Sequence, residues 1–291
     1  MKPSISIVVP VYNEKDSVAH TIQDLLSVCS SSTSAFEIIA VDDCSTDGSA
    51  SVLDGLIHTG VTVVHHPHNR GYGASLKTGI RVAKYPWILI TDADGTYPIS
   101  RIPDLLNHTQ DFDMVVGART GDNVHDTYSR RLGRWIVRSF ASYIADADIK
   151  DINSGLRMFK KEHAVKFWHL FPERFSFTST ISVASHTNGH AVKYVPIDYY
   201  KRAGKSSIKP AKDFVGFVSL ITRLAIYFKP LKVFVPISIG LLTFAFAVLM
   251  GSWLWLPHIL DSTFAIFSIA SLQILFFGLI AEMIVKRFYR E

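Results

Sequence analysis

Cysteine is nearly absent: the 291 residues contain two, Cys29 and Cys44. Their spacing fits neither a metal-ligand nor a redox motif, so they read as free thiols of a reducing compartment, and a disulfide framework is excluded. Charge is also sparse, at 19% of residues, and two stretches lack it altogether. These are Val233 to Leu256 (VFVPISIGLLTFAFAVLMGSWLWL) and Ser262 to Ala281 (STFAIFSIASLQILFFGLIA). Each meets the roughly 20 apolar residues that a bilayer core demands, and buried core helices seldom stay free of charge for so long. There is no internal repeat and no low-complexity tract, which removes solenoid and disordered classes. The N-terminus, MKPSISIVVPVYNE, lacks a small-residue cleavage site. Its short apolar run holds Pro10 and ends in Tyr12-Asn13-Glu14, so a buried first strand is expected there and not a signal peptide.

The charge that is present is unevenly placed. The net +5 concentrates between Lys201 and Lys232, where eight basic residues (Lys201, Arg202, Lys205, Lys209, Lys212, Arg223, Lys229 and Lys232) face the single acid Asp213. Next to an apolar span, such a stretch favours anionic lipid headgroups over nucleic acid, which is not expected as a partner. The loop from Pro257 to Asp261 carries no Lys or Arg, whereas Lys229 and Lys232 precede the first span and Lys286, Arg287 and Arg290 follow the second. The positive-inside rule then predicts a multi-pass protein of the cell membrane with both termini and the preceding domain in the cytoplasm.

Over the first half, apolar β-branched runs alternate with helical patterns: 5–12, 36–43, 61–66, 87–94 and 113–119. Near-continuous apolar strands separated by helices predict an α/β domain with a mostly parallel sheet covered on both faces. Further strands at 153–160 and 191–200 extend it as a mixed sheet. The expected organisation is a catalytic domain over 1–209, an amphipathic interfacial helix over 210–230 and a two-helix membrane anchor with a short tail over 231–291. In such sheets ligands bind beyond the carboxyl ends of the strands. Polar residues gather there: Asn13 and Glu14, then Asp42 and Asp43, then Asp92 and Asp94, then Arg119.

Asp92-Ala93-Asp94 closes the expected fourth strand, and alternation would send both carboxylates to one side. Two carboxylates held so close repel unless a hard divalent cation, Mg²⁺ or Mn²⁺, neutralises them together with phosphate oxygens. Asp-x-Asp alone is a weak pattern, and its strand-end position gives it weight. Asp42 and Asp43 in VDDCSTDGS suit hydrogen bonds to a nucleoside, with Thr46 and Asp47 as helix-capping types. The glycines of Asn69-Arg70-Gly71-Tyr72-Gly73 suit a backbone that approaches a ligand closely. GYGASL also looks like a dinucleotide-binding turn, but Leu76 stands where the third Gly or Ala belongs. His65, His66 and His68 fit no zinc spacing and read as a polar loop.

Taken in order, PVYNE (10–14), VDDCSTDGS (41–49), NRGYGASLKTG (69–79), TDADGTYP (91–98), NSGLRMF (153–159) and KRAGKSS (201–207) resemble the family 2 glycosyltransferases. Within that family the chain is similar to the dolichol-phosphate mannose synthase and polyprenyl-phosphate glycosyltransferase branch. The resemblance implies a nucleotide-diphospho-sugar transferase (GT-A) fold. It implies that Pro10, Tyr12, Glu14 and Asp42 or Asp43 hold the nucleoside, with Gly71 and Ala93 beside the nucleotide sugar. It further implies that Asp92 supports the ribose and diphosphate and shares the metal with Asp94. Relatives often carry Gln two places after the second Asp, and Thr96 stands there here, which leaves a third protein ligand in doubt. Arg134-Trp135 lacks the Gln of the Gln-x-x-Arg-Trp motif of processive synthases, which argues against chain polymerisation.

The reaction this implies is an inverting transfer from a nucleotide diphosphate sugar, of GDP-mannose or UDP-hexose type, to a polyprenyl or dolichyl phosphate. A phosphate monoester is already anionic at neutral pH, so the acceptor asks for positioning and cations and not for a base. Arg119, Arg130, Arg131, Arg202 and Lys205 are the expected cations, with Arg119, Arg130, Arg131 and Ser154 at the acceptor phosphate. Two other readings stand beside it. A glycolipid or glycan hydroxyl acceptor would need a base, for which Asp151 is the nearest candidate, and a non-catalytic nucleotide-sugar-binding subunit would need neither. Self-association is left open.

Overall fold

The computed structural model describes residues 2–120, 128–173, 176–200, 210–255 and 261–288. They fall into two compact units, Met1–Phe217 and Val218–Glu291.

In the first unit, seven strands form one sheet: β1 (Ser4–Val11), β2 (Ala35–Asp42), β3 (Val61–His65), β4 (Trp87–Ile90), β5 (Met114–Ala118), β6 (Arg157–Lys160) and β7 (Val192–Pro196). Their order across the sheet is β3-β2-β1-β4-β6-β5-β7. Every neighbouring pair is parallel except those of β6, which runs antiparallel to both β4 and β5. The expected mostly parallel sheet with a mixed extension is therefore what forms. Six helices connect the strands: α1 (Val18–Ser32), α2 (Ser49–Asp54), α3 (Tyr72–Val82), α4 (Ile102–Leu106), α5 (Tyr128–Ala145) and α6 (Lys161–Lys166), followed by α7 (Phe177–Thr187) before β7.

The core follows from the sequence periods. Successive residues of a strand point to opposite faces, and Ile5, Ile7, Val8, Val9 and Val11 of β1 are all buried, so both faces are covered. In α1, Val18, Ile22, Leu25 and Cys29 recur at helical spacing and are fully buried against that core. Cys29 is thereby inert, because burial pushes its thiol up to about 12. On the other face α3 lies so close to the sheet that a Cβ at Gly79 would come within 2.3 Å of Val8 Cγ1.

The second unit begins inside α8 (Pro210–Phe228) and continues with α9 (Leu231–Trp255) and α10 (Asp261–Phe288). The stretches Leu231–Leu254 and Asp261–Arg287 are each long and apolar enough to cross a membrane, and only 11% of either is buried. A core helix of a soluble domain would be mostly buried. The two pack along a seam in which Ser238 Oγ donates to Ser271 O at 2.9 Å and Ser271 Oγ donates to Ser238 O at 2.8 Å.

Candidate active site

The carboxyl ends of β1, β2, β4, β5 and β7 open onto one rim. Because β6 is reversed, the loop that precedes it, Asp151 to Leu156, reaches the same rim. The first two loops are laced together. Asn13, in left-handed backbone (φ 57°), accepts at its side-chain oxygen from the Thr46 N–H, at 2.8 Å. The N–H groups of Asn13, Glu14 and Lys15 donate to Ser45 Oγ, Ser49 Oγ and Asp47 Oδ2, respectively, at 2.9–3.0 Å. Asp47 thus braces two loops, and its Oδ1 accepts from the N–H of Ser49, the first residue of α2, at 2.9 Å; Gly48 holds the N-cap position itself. Tyr12 projects into solvent at this end, while Pro10 lies within β1.

Asp42 and Asp43 are buried and already engaged. Asp42 accepts from the Ser45 N–H at 3.1 Å and pairs with His65 Nδ1 at 3.0 Å, and the other ring nitrogen of His65 meets Asp54 at 3.0 Å. Asp43 accepts from the N–H groups of Arg70 and Gly71 at 2.8 and 2.7 Å, and its Oδ1 meets His66 Nδ1 at 2.7 Å. The histidines expected in a polar loop are therefore a strand end and a buried pin, and each shares an aspartate with a loop backbone. A carboxylate has about four lone-pair directions, so both aspartates retain accepting capacity toward a ligand. The glycines of the same motif divide. Gly71 gives its N–H to Asp43, whereas a Cβ at Gly73 would fall 2.1 Å from Pro172 O. The close approach at Gly73 is to the chain itself and not to a ligand.

Asp92 and Asp94 do not end a strand. The ladder of β4 stops at Ile90, and Thr91–Gly95 turns, with Gly95 at φ 70° and Asp94 Oδ1 accepting from both the N–H (3.1 Å) and the hydroxyl (2.7 Å) of Thr96. Strand alternation therefore does not orient the two carboxylates; an Asx turn does. Thr96, standing where relatives often have Gln, acts as a brace for Asp94. Asp92 is held by distant residues: the buried Tyr72 hydroxyl hydrogen-bonds to it, and burial first, then Asp92 itself, keeps that phenol protonated. Gly155 forms the floor, since a Cβ there would sit 2.8 Å from Asp92 Oδ2. Gly155 in turn donates its N–H to Tyr97 at 2.6 Å. Ala93, between the aspartates, is buried in the core.

The cation of the rim is Arg119, at the end of β5. Arg119 Nε and Nη2 donate to the two oxygens of Asp151 at 2.8 and 2.9 Å, and the Arg119 N–H donates to Asp151 Oδ2 at 3.0 Å. The guanidinium carbon lies 5.2 Å from the Tyr199 ring, which meets Tyr97 edge to face at 5.3 Å. Burial alone would raise the Asp151 pKa, but the charge and hydrogen bonds of Arg119 outweigh it and bring it down to about 2. Asp151, the candidate base for a hydroxyl acceptor, thus has both of its oxygens engaged by Arg119. Ser154, expected at the acceptor phosphate, is fully buried and donates its hydroxyl to Gly117 O at 2.5 Å. Arg130 and Arg131 lie in the first turn of α5, where side chains fall outside the described residues, as do Arg202 and Lys205 altogether.

One important residue was not legible in advance. Arg157 is fully buried without a carboxylate and donates to Ile152 O, Ser154 O, Thr178 O and Ser182 Oγ, which fixes the rim loop from beneath. Nothing in NSGLRMF alone marks its arginine as internal.

Among the described residues no three His, Cys, Asp or Glu side chains converge to hold a metal ion. Asp92 and Asp94, on one turn, remain an all-oxygen pair of the kind that suits a hard cation which draws its other ligands from water and phosphate.

Residues 6–168 match the profile of glycosyl transferase family 2. Among similar sequences, an undecaprenyl-phosphate 4-deoxy-4-formamido-L-arabinose transferase of Edwardsiella ictaluri is 28% identical over 84% of this chain and 75% of its own. A dolichyl-phosphate beta-glucosyltransferase of Dictyostelium discoideum is 25% identical over 72% of each chain. Among solved structures, glucosyl-3-phosphoglycerate synthase of Mycobacterium tuberculosis in complex with phosphoglyceric acid superposes with a TM-score of 0.62 at 14% identity, over 77% of this chain and 80% of that one. A complex of the same synthase with Mn²⁺, uridine diphosphate and phosphoglyceric acid gives 0.59 at 15% identity, over 77% and 78%. These likenesses in structure establish the GT-A-like fold.

Proposed function

The chain belongs to glycosyl transferase family 2, and we propose that it moves a sugar from a nucleotide diphosphate donor to a polyprenyl or dolichyl phosphate at the cytoplasmic face of a membrane. The observation that carries this reading is that one chain joins the aspartate rim to two apolar helices that remain unburied. Relatives named for transfer to undecaprenyl and dolichyl phosphate support the acceptor class. The pairing of Asp151 supports it too: Arg119 occupies both of its oxygens, which does not favour the base that a neutral hydroxyl would need, and a phosphate acceptor needs no such step.

In this reading an acceptor phosphate oxygen attacks the anomeric carbon as the bond to the nucleotide diphosphate breaks, which inverts the anomeric centre. The laced loops of Asn13 to Lys15 and Asp42 to Asp47 seat the nucleoside, with Pro10, Tyr12, Glu14, Asp42, Asp43, Gly71 and Ala93 around the donor. Asp92 and Asp94 would hold Mg²⁺ or Mn²⁺, which when bound neutralises charge on the departing diphosphate; Mn²⁺ accompanies uridine diphosphate in the structurally similar synthase. Tyr72 and Gly155 fix Asp92, and Thr96 fixes Asp94. Arg119, oriented by Asp151 and Tyr199, positions the acceptor phosphate, and Arg130, Arg131, Arg202 and Lys205 complete the cationic lining. Residues 210–230 lie in the interface and α9 and α10 span the bilayer, with both termini cytoplasmic by the distribution of Lys and Arg.

The test is to present the purified chain with a panel of radiolabelled nucleotide sugars and a polyprenyl phosphate and to extract the lipid. Label entering the organic phase identifies the donor. Label that stays aqueous for every donor overturns the acceptor assignment.

A further inference from the structure

The outward side of α10 is a row of large apolar residues interrupted by one amide. Ile266, Ile269, Phe276, Phe277, Ile280 and Ile284 are each more than half exposed, and Gln273 is exposed among them, close to the middle of the Asp261–Arg287 stretch. Counting 100° per residue from Ser271, which points into the α9–α10 seam, Gln273 faces almost directly away from α9. In the seam Ser238 and Ser271 partner each other, and the opposite side of the same helix leaves the Gln273 amide without a partner among the described residues.

We infer that Gln273 marks a helix–helix interface at which a second copy of this chain packs through α10; the inference rests on the reading of α10 as a membrane span. Hydrocarbon offers no hydrogen bonds, so an amide at mid-depth is driven to a polar partner. Lys and Arg escape this by reaching for the headgroups; glutamine is too short and this one too central. A lipid tail, the prenyl chain of the acceptor included, has nothing to offer it. A second copy does, for two reasons. A side-chain amide both donates and accepts, so it complements itself. Two copies inserted in the same direction and related by a two-fold axis along the bilayer normal bring every residue opposite its own equivalent at equal depth, so Gln273 meets Gln273 in register. A different membrane protein would need its own polar group at that level.

Förster transfer between donor- and acceptor-labelled full-length chains, reconstituted in phosphatidylcholine–phosphatidylglycerol vesicles over a range of lipid dilutions, tests this. Wild type should self-associate. Gln273→Leu, which leaves the seam untouched, should weaken association by about three- to fifteen-fold, the range measured for interhelical hydrogen bonds, and Gln273→Asn should restore most of it. Association that is equal in wild type and Gln273→Leu overturns the inference, as does a wild type that stays monomeric at every dilution, the result expected if another membrane protein occupies this face. Alkaline carbonate extraction separates the two levels: a chain released from membranes removes the membrane reading and the interface with it, whereas a retained but monomeric chain removes the interface alone.

Discussion

The two ends of the sheet solve the same problem in opposite ways. At the rim, buried carboxylates are met by directed hydrogen bonds and, for Asp151, by the opposite charge of Arg119; Asp42 meets His65, and Asp43 meets His66 and two backbone N–H groups. At the other end, past Asp113 and Lys160, the rings of His163 and His190 stack 3.8 Å apart, and His163 Nδ1 and His190 Nε2 are buried with no hydrogen-bond partner. There burial lowers both pKa values; His190 lowers that of His163 further, Lys166 and Lys160 lower that of His190, and Asp113 and Glu162 only partly offset this. The rim holds its groups aimed by hydrogen bonds, and the opposite end holds its two stacked imidazoles toward the neutral form. Pre-aimed polar groups are what a site for phosphates and sugars requires, whereas neutrality is the cheaper state for a buried imidazole nitrogen without a partner.

The comparison breaks most sharply at Asp94. Asp94→Asn keeps an oxygen for Thr96 to bond, so the thermal midpoint should hardly move, yet turnover should fall at least about 100-fold, because the charge on which the metal depends is gone. Excess chelator on wild type should have the same effect, and full activity in chelator would refute the assignment. Asp151→Ala should come next. It strands Arg119 in a buried position and should cost about 3–5 kcal/mol of stability in urea titrations. In wild type the contribution of Asp151 is present above the ordinary carboxylate pKa of 3.8 and is lost as pH falls toward about 2.

The other end sharpens the contrast through pH. His163 and His190 have lowered pKa values, so the unfolded chain binds more protons than the folded one, and stability should decline as pH drops below the ordinary value of 6.5. The double change His163→Gln/His190→Gln should flatten urea midpoints measured between pH 7.5 and 5.5. His65 slopes the other way. The hydrogen bond to Asp42 raises its pKa, against partial burial and with help from Asp54, so its contribution is full below 6.5 and fades as pH climbs through the raised value. His65→Gln should therefore produce a small change of opposite sign, small because His65 is 40% exposed. Slopes of the same sign for the two variants would dissolve the contrast.

How much of this was legible beforehand depends on how local each cause is. The apolar runs that became β1, β2, β3 and β5, and the polar residues collected at their ends, follow from period and burial, which a short window contains. The early end of β4 does not, because the turn after Ile90 is made by the bonds of Asp94 to Thr96 and by the left-handed Gly95. The holders of Asp92 are further out of reach: Tyr72 lies on α3 and Gly155 before β6. The burial of Ser154 and Arg157 is out of reach for the same reason, as it is decided by Gly117, Thr178 and Ser182 on other elements. So is the acidity of Asp151, which is set by Arg119 from a distant point in the chain.

The reversal of β6 also determines when the site comes into being. Insertion of β6 between β4 and β5 places the floor of Asp92, Gly155, on a segment made after β5 and α5. A chain emerging from the ribosome therefore carries both aspartates of the rim well before it carries the floor beneath Asp92. Closing so long a loop is the slow, entropically opposed part of forming the contact. Donor-binding competence should for that reason arrive late and abruptly during synthesis, at the moment the reversed strand slots into the sheet.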